Sequence, residues 1–529
     1  MASVDYWATA PMQRQQMALF APTLDETIAV DDPVRLVDEV LAGLDWSAWE
    51  AEYDGTRGQP PIHPRFVAAA ILYGLSRGIR STRKLEEACC YRLDFLWLVE
   101  GRRIDFTTFA KFRTRFGKQL KDVFRQLGRI AMTLGLVRLG EVAFDGTRVK
   151  ANNSRYNTRT AATLAEKLAA LDAQFDQMLA EWDAAEKQRT RDEQHDSPTQ
   201  LPPQLAKLDE RRQHIRAALE KARALDEIRR KDGVNPAKNP AQAPMVDLDS
   251  RVMPNKEGGY APNYTPTATT DGHRGFIVDC EVLGAVNETP QAVPSVDRIE
   301  EMFGEKPVRF LTDSGNNSGL VQHAMEERGI EFFAPAPQAP ADNPALRSDP
   351  TLPVPESEWP KLPRNNHKQL DKSCFVYNAA GDQYYCPQGH VLPAAESKPD
   401  KQQGQSVKCI VYRCAACAGC PLAAACISPQ NRGGRTISRD EFEEVRERTA
   451  VRMATERARL IYNERPRIAE TPFGILKAVF GLRQFLLRGL EKVKTEWRWA
   501  TTAFNLKKLV RELARLRADF ARTIETMEG

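Results

Sequence analysis

The hydrophobic period of this chain changes near residue 140, and that change limits the folds open to it more than any other feature. Before Gly140, apolar residues recur at helical spacing, and after it short apolar runs of strand length alternate with helical segments. Strands are expected near residues 264–270, 275–282, 308–312 and 329–334, and helices near 290–303 and 318–327. This order predicts an α/β fold with a mixed sheet over residues 141–335, preceded by a helical domain over residues 1–140.

Length and charge limit the class of protein only loosely. A chain of 529 residues is too long for one compact core, so several domains are expected. It has no apolar run long enough to cross a bilayer and no secretory signal at its start, which predicts a cytoplasmic protein without a membrane partner. The net charge is +4, but Arg and Lys are dense from Arg432 to Arg515. That density suits phosphate contact, although the interleaved acidic residues also suit the solvated face of amphipathic helices.

The helical N-terminal domain has the outline of a helix-turn-helix. Three short helical patterns are joined by turns that contain glycine, and Asp105 is a plausible N-cap for the third. Lys111 and Arg113 on that third helix stand where a recognition helix would present charge to DNA. A three-helix bundle without a DNA-binding role fits the same pattern.

A heptad repeat interrupts the strand region. Leu164, Leu168, Leu171, Phe175, Met178 and Trp182 alternate four and three residues apart, and a second apolar series runs from Leu205 to Ala222. A proline-rich turn at residues 197–203 separates the two series. The pattern predicts an antiparallel coiled-coil hairpin over residues 159–232, inserted into the sheet domain.

Two carboxylates follow predicted strands. Asp145 comes directly after Val142-Ala143-Phe144, and Asp313 comes after Phe310-Leu311-Thr312. Strand ends in a mixed sheet meet at one rim, where two carboxylates would need a cation such as Mg²⁺ or Mn²⁺ to neutralise them. Glycine follows each aspartate closely, so ordinary turns are the alternative.

A third acidic residue lies in a basic and aromatic setting. Glu470 and Lys477 are two helical turns apart and therefore share a face, and Tyr462 and Arg465 lie about one turn apart just before them. A carboxylate bordered by these groups suits a metal ligand with phosphate contacts beside it. Exposed helix charges are the alternative.

Six cysteines are concentrated between residues 386 and 426, which in a cytoplasmic chain indicates metal rather than disulfides. The preferred zinc ligands are Cys386, Cys417, Cys420 and Cys426. Cys414 is a possible substitute, His390 is a weaker candidate and Cys409 is a bystander. A four-cysteine site is closed, so the Zn²⁺ would be structural. The surrounding insertion, residues 336–438, is proline-rich and low in apolar content, so metal is expected to supply much of its folding free energy.

Taken together and in order, these motifs resemble the DDE transposases of bacterial insertion sequences. The resemblance rests on Asp145-Gly146-Thr147, Asp313-Ser314-Gly315, Tyr462…Arg465…Glu470…Lys477 and the closing Arg488-Gly489-Leu490, and the cysteines resemble the branch named insertion sequence eleven-eighty-two. It implies an RNase H-like core whose C-terminal helical part is residues 439–529, with a zinc-ribbon-like insertion. It also implies Asp145 on the first strand, Asp313 on the fourth and Glu470 on a later helix as ligands of two Mg²⁺ or Mn²⁺ ions.

The same resemblance implies the reaction and the partners. A DDE transposase cuts and joins double-stranded DNA at the terminal inverted repeats of its element and in a target, as a homodimer on DNA. Two features depart from the family pattern: Arg465 and Glu470 are one residue further apart than in the best-known signature, and Asn316 stands where relatives usually have an aromatic residue. The alternatives are a decayed or domesticated transposase that only binds DNA, and a related nuclease that cuts without joining.

Overall fold

A computed structural model of the chain describes residues 22–53, 60–192, 203–231, 233–255, 258–336, 342–402, 405–428 and 433–528. The chain divides into two compact units, one of residues 1–131, 474–487 and 491–529 and the other of residues 132–473 and 488–490. The residues after 474 were expected to complete the sheet domain, but most of them group with the N-terminal helices. None of the helices found in the described ranges combines the length and the apolar content that a bilayer crossing requires.

Helices dominate both ends of the chain. The α-helices of the described residues are α1 (Pro33–Ala42), α2 (Ser47–Glu50), α3 (Pro64–Ser76), α4 (Thr82–Tyr91), α5 (Leu93–Leu98), α6 (Phe106–Arg115), α7 (Gln119–Thr133), α8 (Ala161–Asp192), α9 (Pro203–Lys231), α10 (Ala292–Phe303), α11 (Gly319–Glu327), α12 (Ala423–Cys426), α13 (Glu443–Ala454), α14 (Glu456–Asn463), α15 (Arg465–Ala478) and α16 (Leu490–Glu528).

Strands occupy the middle of the chain. They are β1 (Val142–Gly146), β2 (Val149–Lys150), β3 (Thr158–Arg159), β4 (Ala243–Pro244), β5 (Arg251–Pro254), β6 (Tyr260–Asp271), β7 (Ile277–Leu283), β8 (Arg309–Leu311), β9 (Glu331–Phe333), β10 (Val376–Asn378), β11 (Gln383–Tyr385), β12 (Val391–Gln402), β13 (Gln405–Arg413) and β14 (Thr436–Asp440).

The first unit is a helical assembly with an aromatic core. The predicted N-cap is confirmed: the Asp105 carboxylate accepts hydrogen bonds from the amides of Thr107 and Thr108 and so starts α6. Trp49 packs against Phe112 of α6 with ring centroids 5.5 Å apart, and against Trp499 of α16 at 6.1 Å. These large buried rings explain why the last helix groups with the N-terminal helices.

The second unit is built on a mixed sheet, as predicted. Its strand order is β7-β6-β1-β8-β9; β6 runs antiparallel to β7 and β1, whereas β1, β8 and β9 are parallel. The early half of β6 pairs with β2 and β5 as well. Buried Ala143 and Leu311 from the sheet pack against Ile468 and Ala469 of α15, so this helix covers one face of β1 and β8.

The two helices predicted from the heptad repeat are both present as α8 and α9. Leu164 and Leu171 of α8 pack in one cluster with Ile215 and Leu219 of α9. An ion pair of 2.7 Å between Arg212 and Asp172 joins the same two helices. The proline-rich turn predicted between them lies outside the described residues, except for Pro203.

The cysteine-rich segment folds as a sheet of its own, in the order β10-β11-β12-β13-β14. Its low apolar content led to the expectation that metal supplies much of its folding free energy, but the segment also has a core of its own. A cluster of buried residues fills it, comprising Ala345, Leu362, Leu370, Cys374, Phe375, Tyr384, Cys386, Leu392, Tyr412, Cys414, Leu422, Cys426 and Ile437. Cross-strand pairing assembles this core from apolar residues that are scattered in sequence, and the cysteines themselves contribute to it.

Candidate metal centre

Asp145 and Asp313 lie at the ends of adjacent parallel strands. Strands β1 and β8 pair with Val142 opposite Phe310 and Ala143 opposite Leu311, so the two aspartates emerge side by side at one rim of the sheet. The Gly146 amide donates to Asp145 Oδ1 at 2.8 Å and fixes that carboxylate. The structure therefore brings these two residues together, and their role as metal ligands stays a prediction.

Asn316, which departs from the family pattern, holds the second aspartate. Its side chain is buried, and its Nδ2 donates to Asp313 Oδ1 at 3.0 Å and to Thr312 Oγ1 at 2.8 Å. A buried amide with these two acceptors orients the carboxylate.

A third carboxylate, Glu288, joins the two aspartates. One ligand oxygen from each of Asp145, Glu288 and Asp313 lies within 4.8 Å of the others, and all three residues are half-buried. Burial raises the pKa of Glu288, and the nearby charges of Asp313 and Asp145 raise it further, against the effect of Arg148. Mutual repulsion among three carboxylates in partly buried surroundings favours a cation between them.

Sequence reasoning missed Glu288, although a signal for it exists. Strand β7 is antiparallel to β6, which is antiparallel to β1, so β7 ends at the same rim as β1 and β8. Glu288 follows β7 by five residues, in the turn before α10. A search for acidic residues after every strand that ends at that rim would have included it.

Tyr462 and Arg465 stand beside the acidic group. The Tyr462 hydroxyl donates to the Thr312 carbonyl at 3.2 Å, and burial raises its pKa. Arg465 is buried, with Nη2 3.4 Å from Asp145 Oδ2, and its Nε has no hydrogen-bond partner among the described residues. These two residues of the predicted signature therefore reach the site.

Glu470 occupies a different position on the same helix. The buried face of α15 includes Arg465, Ile468 and Ala469, whereas Glu470 is exposed. At about 100° per residue, Glu470 is turned roughly 140° from Arg465, while Ala469, at the usual spacing of the signature, points toward the sheet. Lys477 lies on the same face as Glu470 and is half-buried. Glu470 is not in the acidic group found in the described chain, and its role as a metal ligand stays a prediction.

The two basic residues predicted to contact DNA from α6 differ in placement. Lys111 is exposed. Arg113 points inward: its Nη1 donates to the Arg80 carbonyl at 2.6 Å, and burial lowers its pKa to about 10. Lys111 is therefore open to phosphate contact, while Arg113 supports the helical unit from within.

The cysteines converge on a second candidate centre. Cys386, Cys414, Cys417, Cys420 and Cys426 line one small cavity together with His390. Hydrogen bonding by the Cys414 thiol lowers the pKa of Cys386 to about 6, assisted by the amides of Gln388 and His390 and opposed by burial. Cys409 is outside this cavity lining, as expected.

Backbone amides also point at several of the sulfurs. The Arg435 amide donates to Cys417 Sγ at 3.3 Å, and amides from the following residues bond to Cys414 and Cys420. Such bonds stabilise thiolates, the form that binds metal. No three sulfurs of the described segment come within the 4.8 Å separation found for the carboxylates, so a zinc ion would have to draw them closer.

Two parts of the chain match known protein families. Residues 385–510 match the family model described as a transposase DDE domain, and residues 22–115 match the one described as a transposase domain, DUF772. Neither the search of curated proteins nor that of solved structures gave a match. Each family match covers less than half of the chain, and together they support a transposase, an enzyme that acts on nucleic acid.

Proposed function

We propose that this chain is the DDE transposase of a bacterial insertion sequence, which cuts and joins DNA strands at the rim of its sheet. The observation that carries the proposal is the convergence of Asp145 and Asp313 with Tyr462 and Arg465 beside them. The helix that supplies Arg465 lies entirely within the residues matched by the transposase DDE model. The helical region before the sheet matches a second transposase domain.

The sheet supports an RNase H-like core. The resemblance places the first aspartate on the first strand of that core and the second on the fourth. In the sheet β7-β6-β1-β8-β9, Asp145 lies on β1, the first of these strands in the chain, and Asp313 follows β8, the fourth. The long excursion through β10 to β14 leaves the core after β9, and the chain returns to it with α13 to α15.

The carboxylates fit a divalent cation with hard oxygen ligands. Asp145 and Asp313 would hold Mg²⁺ or Mn²⁺, since both offer oxygens at one rim and are already fixed by hydrogen bonds from Gly146 and Asn316. When bound, such an ion lowers the pKa of a water or 3′-hydroxyl and neutralises the charge that develops on a phosphodiester. The resemblance proposes Glu470 as a third ligand, but Glu470 is exposed and lies outside the acidic group found among the described residues.

Basic and aromatic side chains would position DNA. Beside Asp145, the Nε of Arg465 has no hydrogen-bond partner among the described residues and suits a phosphate oxygen. Tyr462 is a second proposed phosphate contact in this unit. Lys477 and Lys111 of the helical unit are also proposed to contact DNA, and Arg113 would act by supporting α6. The substrate is double-stranded DNA, namely the terminal inverted repeats of the element and its target, bound by a homodimer.

The cysteine centre is proposed to hold one structural zinc ion. Cys386, Cys417 and Cys420 remain ligands, and contacts of Cys414 with both Cys386 and Cys417 favour Cys414 over Cys426 as the fourth. The zinc would tie the loop after β11 to the loop after β13, which are far apart in sequence.

The test is a cleavage and joining assay. Purified full-length protein is incubated with Mg²⁺ or Mn²⁺ and a labelled duplex that carries the inverted repeats flanking its gene. Metal-dependent nicks at the repeat ends, followed by products joined to a target plasmid, are expected. Cutting without joining would favour a nuclease, and binding without cutting would favour a decayed transposase; the convergence of Asp145 and Asp313 does not favour the latter.

A further inference from the structure

We infer that Glu288 is a ligand of the metal bound by Asp145 and Asp313, in the position that the family signature gives to Glu470. The inference rests on the proposed metal centre and adds to it a residue that lies outside the signature. Glu288 comes from a different part of the chain, the turn between β7 and α10. Five observations support it.

The first observation is distance. Oxygens of Asp145, Glu288 and Asp313 lie within 4.8 Å of one another. Oxygen ligands on opposite sides of an octahedral Mg²⁺ are about 4.2 Å apart, because each lies about 2.1 Å from the ion. Small side-chain rotations would therefore bring all three carboxylates onto one ion, without movement of the backbone.

The second observation is that the turn bearing Glu288 is fastened to the loop bearing Asp313. The Thr289 hydroxyl donates to the Gly315 carbonyl at 2.9 Å. The Asn287 side chain accepts a hydrogen bond from the Thr289 amide at 2.9 Å and closes the turn. These hydrogen bonds of Asn287 and Thr289 fix the backbone on both sides of Glu288. The backbone therefore holds Glu288 close to Asp313.

The third observation is the space left by Gly146. A Cβ atom at this position would lie 3.2 Å from Cδ and 3.3 Å from Cγ of Glu288, tighter than ordinary contact. Gly146 lies within β1 and pairs with Thr267, so a turn does not explain it. The absence of a side chain at 146 lets Glu288 lie across the end of β1, beside Asp145.

The fourth observation is a buried donor beside the carboxylates. Arg465 lies 3.4 Å from Asp145, and Arg148 lies 4.0 Å from Glu288. Arg148 also donates to Thr265 Oγ1 at 2.7 Å, so it is only partly directed at the carboxylate. Arg465 is only 8% exposed and keeps its Nε without a partner among the described residues. A phosphate bound beside the metal ion would satisfy this buried donor.

The fifth observation is the orientation of α15. The residue at the usual signature spacing is Ala469, which is buried against Ala143 and Leu311. The additional residue between Arg465 and Glu470 turns Glu470 toward solvent. Among the described residues, α15 therefore contributes no carboxylate to the acidic group, and the turn after β7 contributes Glu288.

The test measures metal binding rather than catalysis. Mn²⁺ is titrated into the full-length protein, and free Mn²⁺ is followed by electron paramagnetic resonance. Glu288→Gln should weaken Mn²⁺ binding at least about tenfold, by analogy with the loss caused even by outer-shell substitutions. Glu470→Gln should change it less than about twofold. Glu281→Gln, the same change on β7 outside the acidic group, is the matched control and should have no effect.

The possible outcomes separate the inference from the proposed function. If Asp145→Asn abolishes Mn²⁺ binding and Glu288→Gln leaves it unchanged, the metal centre stands and the inference is wrong. If Asp145→Asn also leaves binding unchanged, the proposed centre itself is wrong. Thermal unfolding without metal checks that Glu288→Gln folds. Should it not fold, Gly146→Ala provides the second test: it displaces Glu288 and should weaken Mn²⁺ binding, and unchanged binding would overturn the inference.

Discussion

The acidic centre and the cysteine centre lie in the same unit but are built in opposite ways. The carboxylates of Asp145 and Asp313 stand at the rim of a sheet, above a core of Ala143, Leu311 and Phe333 that includes none of them. In the cysteine segment, by contrast, Cys386 and Cys414 belong to the buried core itself. A ligand at the rim can be replaced without disturbing packing, whereas a ligand in the core cannot.

This difference is the one expected between a catalytic metal site, which lies outside the core, and a structural metal site, which is part of it. Half-buried carboxylates repel one another and gain from a cation, but the sheet beneath them is held by its own apolar contacts. The sulfurs pack as small apolar groups as well as being the proposed zinc ligands, so bound metal and core would stabilise the same segment.

The largest expected effect is on catalysis. Asp145→Asn keeps the shape of the side chain but removes the charge, and should lower the cleavage rate by roughly a thousandfold or more, since a catalytic metal contributes several kcal/mol. The melting temperature and the affinity for DNA should stay close to those of the wild type. A much lower melting temperature for this variant would show that the carboxylates at the rim stabilise the fold, which would contradict the proposed difference between the two centres.

The next effect concerns zinc and folding together. Cys414→Ser should abolish zinc binding, measured by elemental analysis, and increase proteolysis within residues 384–428 while the β1–β8 sheet stays protected from hydrogen exchange. Cys409→Ser is the matched control, a buried cysteine outside the cavity, and should retain zinc. If Cys426→Ser loses zinc and Cys414→Ser does not, the ligand set first inferred from the sequence is right.

The sequence indicated the two carboxylates at strand ends, Asp145 and Asp313, but not the third carboxylate beside them, Glu288. Asp145 and Asp313 were predicted because each follows a short apolar run, which is a local signal. Glu288 was missed because its approach depends on the order of the strands and on contact with a distant loop. The core of the cysteine segment was missed for a related reason, since Tyr384 and Tyr412 meet only after the strands pair.

A smaller effect is expected at Arg465. Arg465→Lys keeps the charge but loses the planar donors, and should reduce the cleavage rate about tenfold, equivalent to about 1.4 kcal/mol. Arg467→Lys is the control, because Arg467 is exposed and pairs with Glu464 at 2.7 Å. If the two substitutions lower the cleavage rate equally, the planar donors of Arg465 have no specific role in the reaction.

The smallest effect is expected in the helical unit, which holds no proposed metal ligand. Asp105→Ala removes the N-cap of α6 and should destabilise that helix by about 1 kcal/mol, seen as roughly fivefold faster amide exchange. Hydrogen bonds from Thr107 and Thr108 lower the pKa of Asp105, so its contribution is present above the ordinary carboxyl pKa and is lost as pH falls. Asp105→Asn should keep the cap without this pH dependence, and an unchanged pH dependence would contradict the assignment.

The central claim is that a hard divalent ion binds at the sheet rim and a zinc ion binds among the sulfurs. Anomalous diffraction from crystals grown with Mn²⁺ and Zn²⁺, recorded at both absorption edges, tests it most directly. A manganese peak is expected about 2.1–2.2 Å from carboxylate oxygens of Asp145 and Asp313, with Glu288 as a further ligand. A zinc peak is expected about 2.3 Å from the sulfurs of Cys386, Cys414 and Cys417. Manganese bound elsewhere, or no peak between the two aspartates, would contradict the account.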